Sequence, residues 1–139
     1  TARAAILAGA QFVVAPILDV PTVELCRRYS VPVIPAGFTP TEIVRAWQAG
    51  ADYVKVFPTS SVGAKYIKDL RGPLPHIKMI PTGGIDLNTI PDFIKAGATA
   101  LGAGTALVSA EAIRTRDLAG IQKTAATWLE RVRQARESR

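Results

Sequence analysis

Residues 49–58 read AGADYVKVFP, and this segment carries the strongest signal for the fold. Its first three residues recur as AGA at positions 8–10 and 96–98, and a short run rich in apolar residues follows each copy. A glycine in this position commonly ends a helix in the left-handed conformation, and a buried parallel strand accounts for the apolar run. The recurrence therefore predicts helices alternating with strands, which is the pattern of an α/β protein.

Two further apolar runs complete a set of five predicted strands, at 12–15, 32–35, 53–57, 77–81 and 99–102. Helices are predicted around them at 2–8, 20–29, 40–48, 63–70, 88–95 and 106–113, with a terminal helix at 117–136. Five such units form either an open sheet or about the last five βα units of a (βα)8 TIM barrel. Because no strand precedes the first predicted helix, we favour the barrel. We expect residues 1–139 to form a single domain whose N-terminal βα units are absent here, the natural protein continuing N-terminally.

The composition is that of an ordinary globular domain. Of the 139 residues, 48% are hydrophobic and 20% are charged. No segment approaches the ~18 uninterrupted apolar residues of a membrane span, and the first residues lack a signal-peptide pattern. A single cysteine, Cys26, and a single histidine, His76, exclude a disulfide framework and a cysteine or histidine metal cluster. We therefore predict a soluble, cytoplasmic protein that has no metal site and no membrane partner.

The net charge of +6 raises the question of a nucleic-acid partner. The densest basic run is near the C-terminus, and acidic residues interrupt it; it consists of Arg131, Arg133, Arg136 and Arg139. No basic stripe alternates with aromatic residues. This pattern favours a solvated face of the terminal helix over nucleic-acid binding.

Lys55 stands in the middle of the predicted strand 53–57. Alternation places Tyr53, Lys55 and Phe57 on one face of the strand and the two valines on the other. A lysine that loses its hydration has a lowered pKa and acts as an amine nucleophile, as Schiff-base chemistry requires. Position alone leaves two interpretations open: a nucleophile near the C-terminal end of the strand, or a lysine that reaches solvent or forms an ion pair in the core.

Glycine-rich loops follow the last two predicted strands. PTGGI occupies residues 81–85, and GAGT occupies residues 102–105. Glycines let backbone amides approach an anion closely, and the loops after the last two strands of a barrel are the usual phosphate site. Two such loops on successive units predict a phosphate site, although a glycine pair also suits a simple turn.

Two carboxylates are interpreted as helix caps. Thr39-Pro40-Thr41-Glu42 has the pattern of a capping box with proline in the first helical position, and Asp19 precedes the predicted helix 20–29. We prefer this structural role to a catalytic one for both Asp19 and Glu42. Cys26 is interpreted as a packing residue on a helix.

These elements together resemble the 2-keto-3-deoxy-6-phosphogluconate (KDPG) and 4-hydroxy-2-oxoglutarate (KHG) aldolase family. The matching segments, in order and spacing, are GFTPTE at 37–42, VKVFP at 54–58, GP at 72–73, PTGGI at 81–85 and GT at 104–105. The resemblance implies a class I, metal-independent lyase on a (βα)8 barrel, usually a homotrimer. Such an enzyme cleaves KDPG to pyruvate and glyceraldehyde 3-phosphate, or KHG to pyruvate and glyoxylate.

The resemblance also implies roles for individual residues. Lys55 matches the lysine that forms the covalent Schiff base, so no cofactor is implied, and Phe57 matches the aromatic residue beside it. Thr82, with its neighbour Pro81, matches the substrate-binding position that contacts the pyruvyl carboxylate. The positions that match the phosphate site are Gly83, Gly84, Gly104 and Thr105.

Two departures from the family pattern bear on function. API at 15–17 stands where the family usually has SPG or SPH, which alters the rim of the site. The family's acid/base glutamate and a carboxylate-binding arginine lie on an early strand that has no counterpart here. Two alternatives therefore stay open. One is another phosphate-binding barrel, similar to thiamin-phosphate synthase or an epimerase, and the other is a non-catalytic phosphosugar-binding module.

Overall fold

The computed structural model describes residues 1–138, and Arg139 lies outside the described residues. Its helices are α1 (Ala2–Leu7), α2 (Val20–Arg28), α3 (Pro40–Gln48), α4 (Gly63–Arg71), α5 (Ile90–Lys95), α6 (Ala110–Thr115) and α7 (Leu118–Glu137). Its strands are β1 (Val13–Val14), β2 (Val33–Ile34), β3 (Ala36–Gly37), β4 (Val54–Val56) and β5 (Met79–Pro81). Within this described part, none of the helices is long and apolar enough to cross a membrane.

The strands pair in parallel with their neighbours in chain order, as β1–β2 and β3–β4–β5. Pro35 separates β2 from β3, because proline has no amide hydrogen to donate across the ladder. The backbone around it still joins the two ladders: the Ile34 carbonyl accepts from the Ala15 amide at 3.1 Å, and the Pro35 carbonyl accepts from the Lys55 amide at 2.9 Å. The predicted α/β class and the sequential parallel order are confirmed.

The predicted strand at 99–102 is wrong as a full strand. It is reduced to one parallel bridge between Thr82 and Gly102, supported by a 2.8 Å hydrogen bond from the Gly102 amide to the Pro81 carbonyl. Within residues 1–138, this segment pairs only on the side of β5. Its glycines also weaken a strand, because they have no side chain to pack. The ladder hydrogen bonds also cover fewer residues than the apolar runs, so the other strands are shorter than predicted.

The predicted helix at 106–113 begins late. Residues 104–108 form a turn in which the Gly104 carbonyl accepts from the Leu107 and Val108 amides at 2.9 and 3.0 Å. Helix α6 starts only after Ser109, whose hydroxyl accepts from the Ala112 amide at 3.0 Å. The N-cap therefore moves the start of this helix towards the C-terminus, because its hydroxyl satisfies an amide of the first turn.

The predicted glycine helix ends and the two predicted N-caps are confirmed. The glycines of the three AGA segments have positive φ values of 99°, 98° and 101°, in chain order. Asp19 accepts from the Thr22 amide at the start of α2. Thr39 and Glu42 form a reciprocal capping box at the start of α3. These local signals determine where the chain leaves each helix and enters each strand.

The apolar core lies between the sheet and the helices. A small cluster under β1 and β2 contains Val23, Cys26 and Val33, all fully buried, and burial raises the pKa of the Cys26 thiol. The larger cluster packs β4 and β5 against α3, α4, α5 and α7, and its fully buried members include Ile43, Val54, Val56, Ile67, Ile77, Met79 and Ile90. Because this side of the sheet is covered, any accessible chemistry on the strands must be on the opposite face.

The terminal helix α7 is anchored by some of its exposed arginines. Arg131 donates to the Leu87 carbonyl at 3.2 Å, and Arg136 donates to the Thr99 carbonyl at 3.0 Å. Arg133 pairs with Glu130 and Glu137 at 2.6 and 2.5 Å. The predicted solvated face is confirmed for these three residues, and two of them also hold the helix against neighbouring loops.

We expect Glu42→Gln to lower the free energy of unfolding at neutral pH and to matter less in acid. The Thr39 amide, followed by that of Phe38, holds the pKa of the Glu42 carboxyl below its ordinary value. The stabilisation is therefore present above the unfolded-state pKa of about 4.3 and is lost as the pH falls through the lower folded-state pKa. Urea unfolding at about pH 7 and about pH 3 measures the difference.

Glu24→Gln, an exposed change within α2, is the control for losing one negative charge. If the Glu42→Gln deficit were the same at both pH values, the charged cap would not be its cause.

Candidate active site

Strand β4 presents Lys55 on the face opposite the core. Val54 and Val56 are fully buried against the helices, whereas Lys55 is half-buried and its Nζ lies 4.4 Å from the centre of the Phe57 ring. None of the four ion pairs formed by residues 1–138 includes Lys55. The amine therefore lies beside an aromatic ring and does not form the core ion pair that the sequence left open.

Register brings Thr82 to the same face. Residues paired across a parallel ladder lie on one side of the sheet, and Lys55 pairs with Ile80. Thr82 lies two residues beyond Ile80, as Phe57 lies two residues beyond Lys55. The lysine, the aromatic ring and the threonine thus share the face of the sheet opposite the helices, near the C-terminal ends of the strands.

Pro81 is on the other face. It pairs with Val56 and is buried on the helix side. It also does not line the cleft beside Thr82. The Pro81 side chain therefore lies apart from the other predicted site residues, because the pleat turns alternate residues to opposite faces, and its substrate-binding role stays a prediction.

A cleft of about 370 Å³ lies at the C-terminal ends of β4 and β5. Its lining includes six of the predicted site residues: Phe57, Thr82, Gly83, Gly84, Gly104 and Thr105. The two glycine-rich loops, which are about twenty residues apart in sequence, thus meet in one cleft. Their predicted roles in binding phosphate stay predictions.

Unused amides characterise this cleft. Gly83 and Gly84 both have positive φ, at 95° and 73°. Within residues 1–138, no protein atom accepts a hydrogen bond from the amides of Gly83, Gly84, Gly104 or Thr105. Backbone N–H groups without a protein acceptor, gathered around a concavity, are the feature by which backbone nests bind anions.

Asp86 is the carboxylate of the cleft lining, and it is engaged locally. It accepts from the Thr89 and Asn88 amides at 2.8 Å each. The Thr89 amide in particular lowers the pKa of this carboxyl. The negative charge thus lies just before α5, where the two turn amides partly offset it.

A second cleft, of about 450 Å³, lies beside the first and shares Phe57 with it. Its lining includes Ile17, Phe38, Glu42 and Arg45. The Glu42 carboxylate accepts from the amides of Thr39 at 2.7 Å and Phe38 at 2.9 Å. A carboxyl with a lowered pKa is a poor proton carrier near neutral pH, so its structural role is the better interpretation.

Thr59 is the buried polar residue that the sequence did not single out. It is 1% exposed, and its hydroxyl donates to the Gly83 carbonyl at 2.7 Å. The available signal was weak: a hydroxyl residue directly after the FP that follows β4. Only the fold shows that this residue lies behind the glycine loop.

A parallel sheet with a strand lysine on its open face, beside glycine-rich loops at the strand ends, is an arrangement found in TIM-barrel-like α/β proteins. Within this class, the family model for KDPG and KHG aldolase matches residues 1–124, and the chain belongs to that family.

Individual relatives agree with this assignment. The chain is 34% identical to the 2-dehydro-3-deoxy-phosphogluconate aldolase of Treponema pallidum, over 86% of this chain and 58% of the relative. It is 41% identical to the Haemophilus influenzae protein of the same name, over 68% of this chain and 46% of the relative. A solved structure described as native KDPGal superposes with a TM-score of 0.89 at 29% identity, covering 96% of this chain and 64% of that one. The chain thus spans about half the length of the two curated relatives.

We expect Gly84→Ala to destabilise the protein by about 1–3 kcal/mol. A Cβ at this position would lie 2.8 Å from the Ser60 Cα, at a φ of +73° that alanine rarely adopts. Gly104→Ala is the matched control, because its Cβ meets nothing within 4 Å. Urea unfolding should show a change below about 0.5 kcal/mol for the control. Equal effects of the two changes would contradict the close approach described here.

Proposed function

We propose that this chain carries the Schiff-base lysine and the phosphate-binding loops of a class I aldolase. The substrates would be KDPG, cleaved to pyruvate and glyceraldehyde 3-phosphate, or KHG, cleaved to pyruvate and glyoxylate. The observation that carries the proposal is the position of Lys55. Its Nζ lies 4.4 Å from the centre of the Phe57 ring, and the same ring lines the glycine-rich cleft. Family membership supports the same chemistry.

In the proposed mechanism, the neutral Lys55 amine attacks the C2 ketone of the substrate and forms a carbinolamine. Loss of water gives an iminium cation. A carboxylate then takes the proton of the C4 hydroxyl while the C3–C4 bond breaks, its electrons pass to the iminium, and the aldehyde leaves. The resulting enamine takes up a proton at C3, and water then releases pyruvate and regenerates the lysine. These steps need no metal and no other cofactor.

The neighbouring residues would position the substrate. Phe57 flanks the amine, and Thr82, which shares its face of the sheet, would contact the pyruvyl carboxylate. The amides of Gly83, Gly84, Gly104 and Thr105 would hold the distal phosphate, so that binding energy far from the reacting carbons serves to orient them.

We also propose that the chain supplies about the last five βα units of the barrel, and that the whole protein is a homotrimer. The inner face of the sheet supports the barrel proposal, because Val14 is 48% exposed and Ile34 and Ile80 are only half-buried. Further strands would cover these apolar side chains. Asp19 and Glu42 hold helix N-termini, so we assign the proton-transferring carboxylate to the further units.

A non-catalytic phosphosugar-binding module is the second candidate, because the carboxylates of Asp19 and Glu42 are both engaged as caps. A barrel similar to thiamin-phosphate synthase or an epimerase does not need a strand lysine, and family membership speaks against it.

Trapping by borohydride distinguishes the two candidates. We expect incubation with pyruvate and sodium borohydride to attach one reduced pyruvyl group to the peptide that contains Lys55, as read by mass spectrometry. A protein that binds inorganic phosphate but gives no adduct would be a binding module, and the aldolase proposal would fail.

A further inference from the structure

Thr59 lies directly behind the Gly83-Gly84 turn. It is the buried polar residue among those that the structure describes, with 1% of its surface exposed. Its hydroxyl donates to the Gly83 carbonyl at 2.7 Å and lies 3.1 Å from the Thr82 carbonyl. Its own amide donates to the same Thr82 carbonyl at 2.9 Å. Thr59 therefore donates hydrogen bonds to two successive carbonyls, which both point towards it.

The direction of the two carbonyls determines the direction of the two amides. In a trans peptide, the C=O and the N–H that follows it point in opposite directions. When the Thr82 and Gly83 carbonyls point at Thr59, the amides of Gly83 and Gly84 point away from it. The turn lines the cleft on that side, and within residues 1–138 no atom accepts from these two amides.

Close packing holds the turn against the 59–60 segment. A Cβ built on Gly84 would lie 2.8 Å from the Ser60 Cα, which is closer than Cβ contacts allow. The turn is therefore packed against the segment that carries the hydroxyl. Losing the hydrogen bond from this hydroxyl would disturb the amides of both Gly83 and Gly84.

We propose that Thr59 is the positioning residue for the anion-binding amides of Gly83 and Gly84, and thereby sets the affinity for the phosphate group of the substrate. This inference rests on the proposed function of the cleft. The Thr82 carbonyl keeps the Thr59 amide as a donor whatever the side chain is, whereas the Gly83 carbonyl depends on the hydroxyl. Removing the hydroxyl therefore frees the 83–84 peptide most, and the Gly84 amide is the more strongly affected.

The test compares inorganic phosphate with pyruvate in the same variants of the full chain. We expect Thr59→Val to raise the dissociation constant for inorganic phosphate about five- to twentyfold, the effect of losing one buried hydrogen bond. The shift of the Gly84 amide on phosphate titration, read by NMR, should shrink in parallel. Borohydride trapping of pyruvate, which carries no phosphate, should change several times less than phosphate binding does.

Three further variants complete the design. Thr59→Ser keeps the hydroxyl and should restore phosphate affinity to within about threefold of the parent. Thr59→Cys has a side chain of similar size with a weaker donor. It replaces Thr59→Val in the comparison with the parent if the valine protein does not fold. Thr124→Val removes a half-buried hydroxyl of α7 that donates to the Gly120 carbonyl at 2.9 Å and should leave both measurements unchanged.

The outcomes separate this inference from the proposed function. Equal phosphate affinity in the parent and in Thr59→Val would overturn the positioning role and leave the phosphate site standing. An equal loss of phosphate binding and pyruvate trapping would also overturn it, because Thr59 would then support the fold alone. A parent chain that binds no phosphate would instead overturn the proposed phosphate site.

Discussion

Replacing Lys55 with methionine should abolish the trapping of pyruvate by borohydride, reducing it to the level seen with borohydride alone. Methionine keeps the length and the apolar body of the side chain but has no amine, so no imine can form. The measurement is the mass of the intact protein and of the peptide that contains residue 55. In a longer protein with turnover, the same change should also remove cleavage of KDPG.

The chain offers a matched control for this experiment. Lys78 also lies over an aromatic ring, with its Nζ 5.4 Å from the centre of the Tyr53 ring, but it precedes β5 at the opposite end of the sheet. Lys78→Met should therefore leave trapping unchanged. Undiminished trapping in Lys55→Met would show that another lysine is the nucleophile.

The second large effect concerns turnover by the chain of 139 residues. Imine formation needs only a neutral, accessible amine, whereas cleavage also needs a group that moves protons. General acid–base assistance contributes about 10²–10⁴-fold in rate. We therefore expect the chain to be trapped by pyruvate while cleaving KDPG at least about a hundredfold more slowly than a protein with the additional βα units.

The rescue experiment adds roughly 60–70 N-terminal residues, the length of three βα units in a barrel. Measured release of pyruvate from KDPG should then rise towards that of a complete enzyme. Full activity of the short chain would contradict the assignment of the acid/base group to those units. Asp19, now interpreted as the cap of α2, would be the first residue to re-examine, through Asp19→Asn.

Much of the fold could be predicted from short segments. The glycine at position 50 ends α3 and leads into β4, and the capping box at Thr39 and Glu42 starts α3 at its predicted residue. These signals depend on residues three or four positions apart. They are therefore present in the segment whatever the rest of the fold is. The strand at 99–102 could not be read in this way, since an apolar run becomes a strand only where a neighbour offers hydrogen bonds.

The sequence by itself determined the alternation of helices and strands, the caps, and the presence of Lys55 and the glycine loops at strand ends. Each of these follows from local conformational preference and the period of two along a strand. The tertiary structure decided that Pro81 is buried on the far face and that the two glycine loops share one cleft. It also decided that the Thr59 hydroxyl reaches a carbonyl 24 residues away. Such contacts depend on the register between distant segments, which short-range patterns do not encode because many registers satisfy the same local preferences.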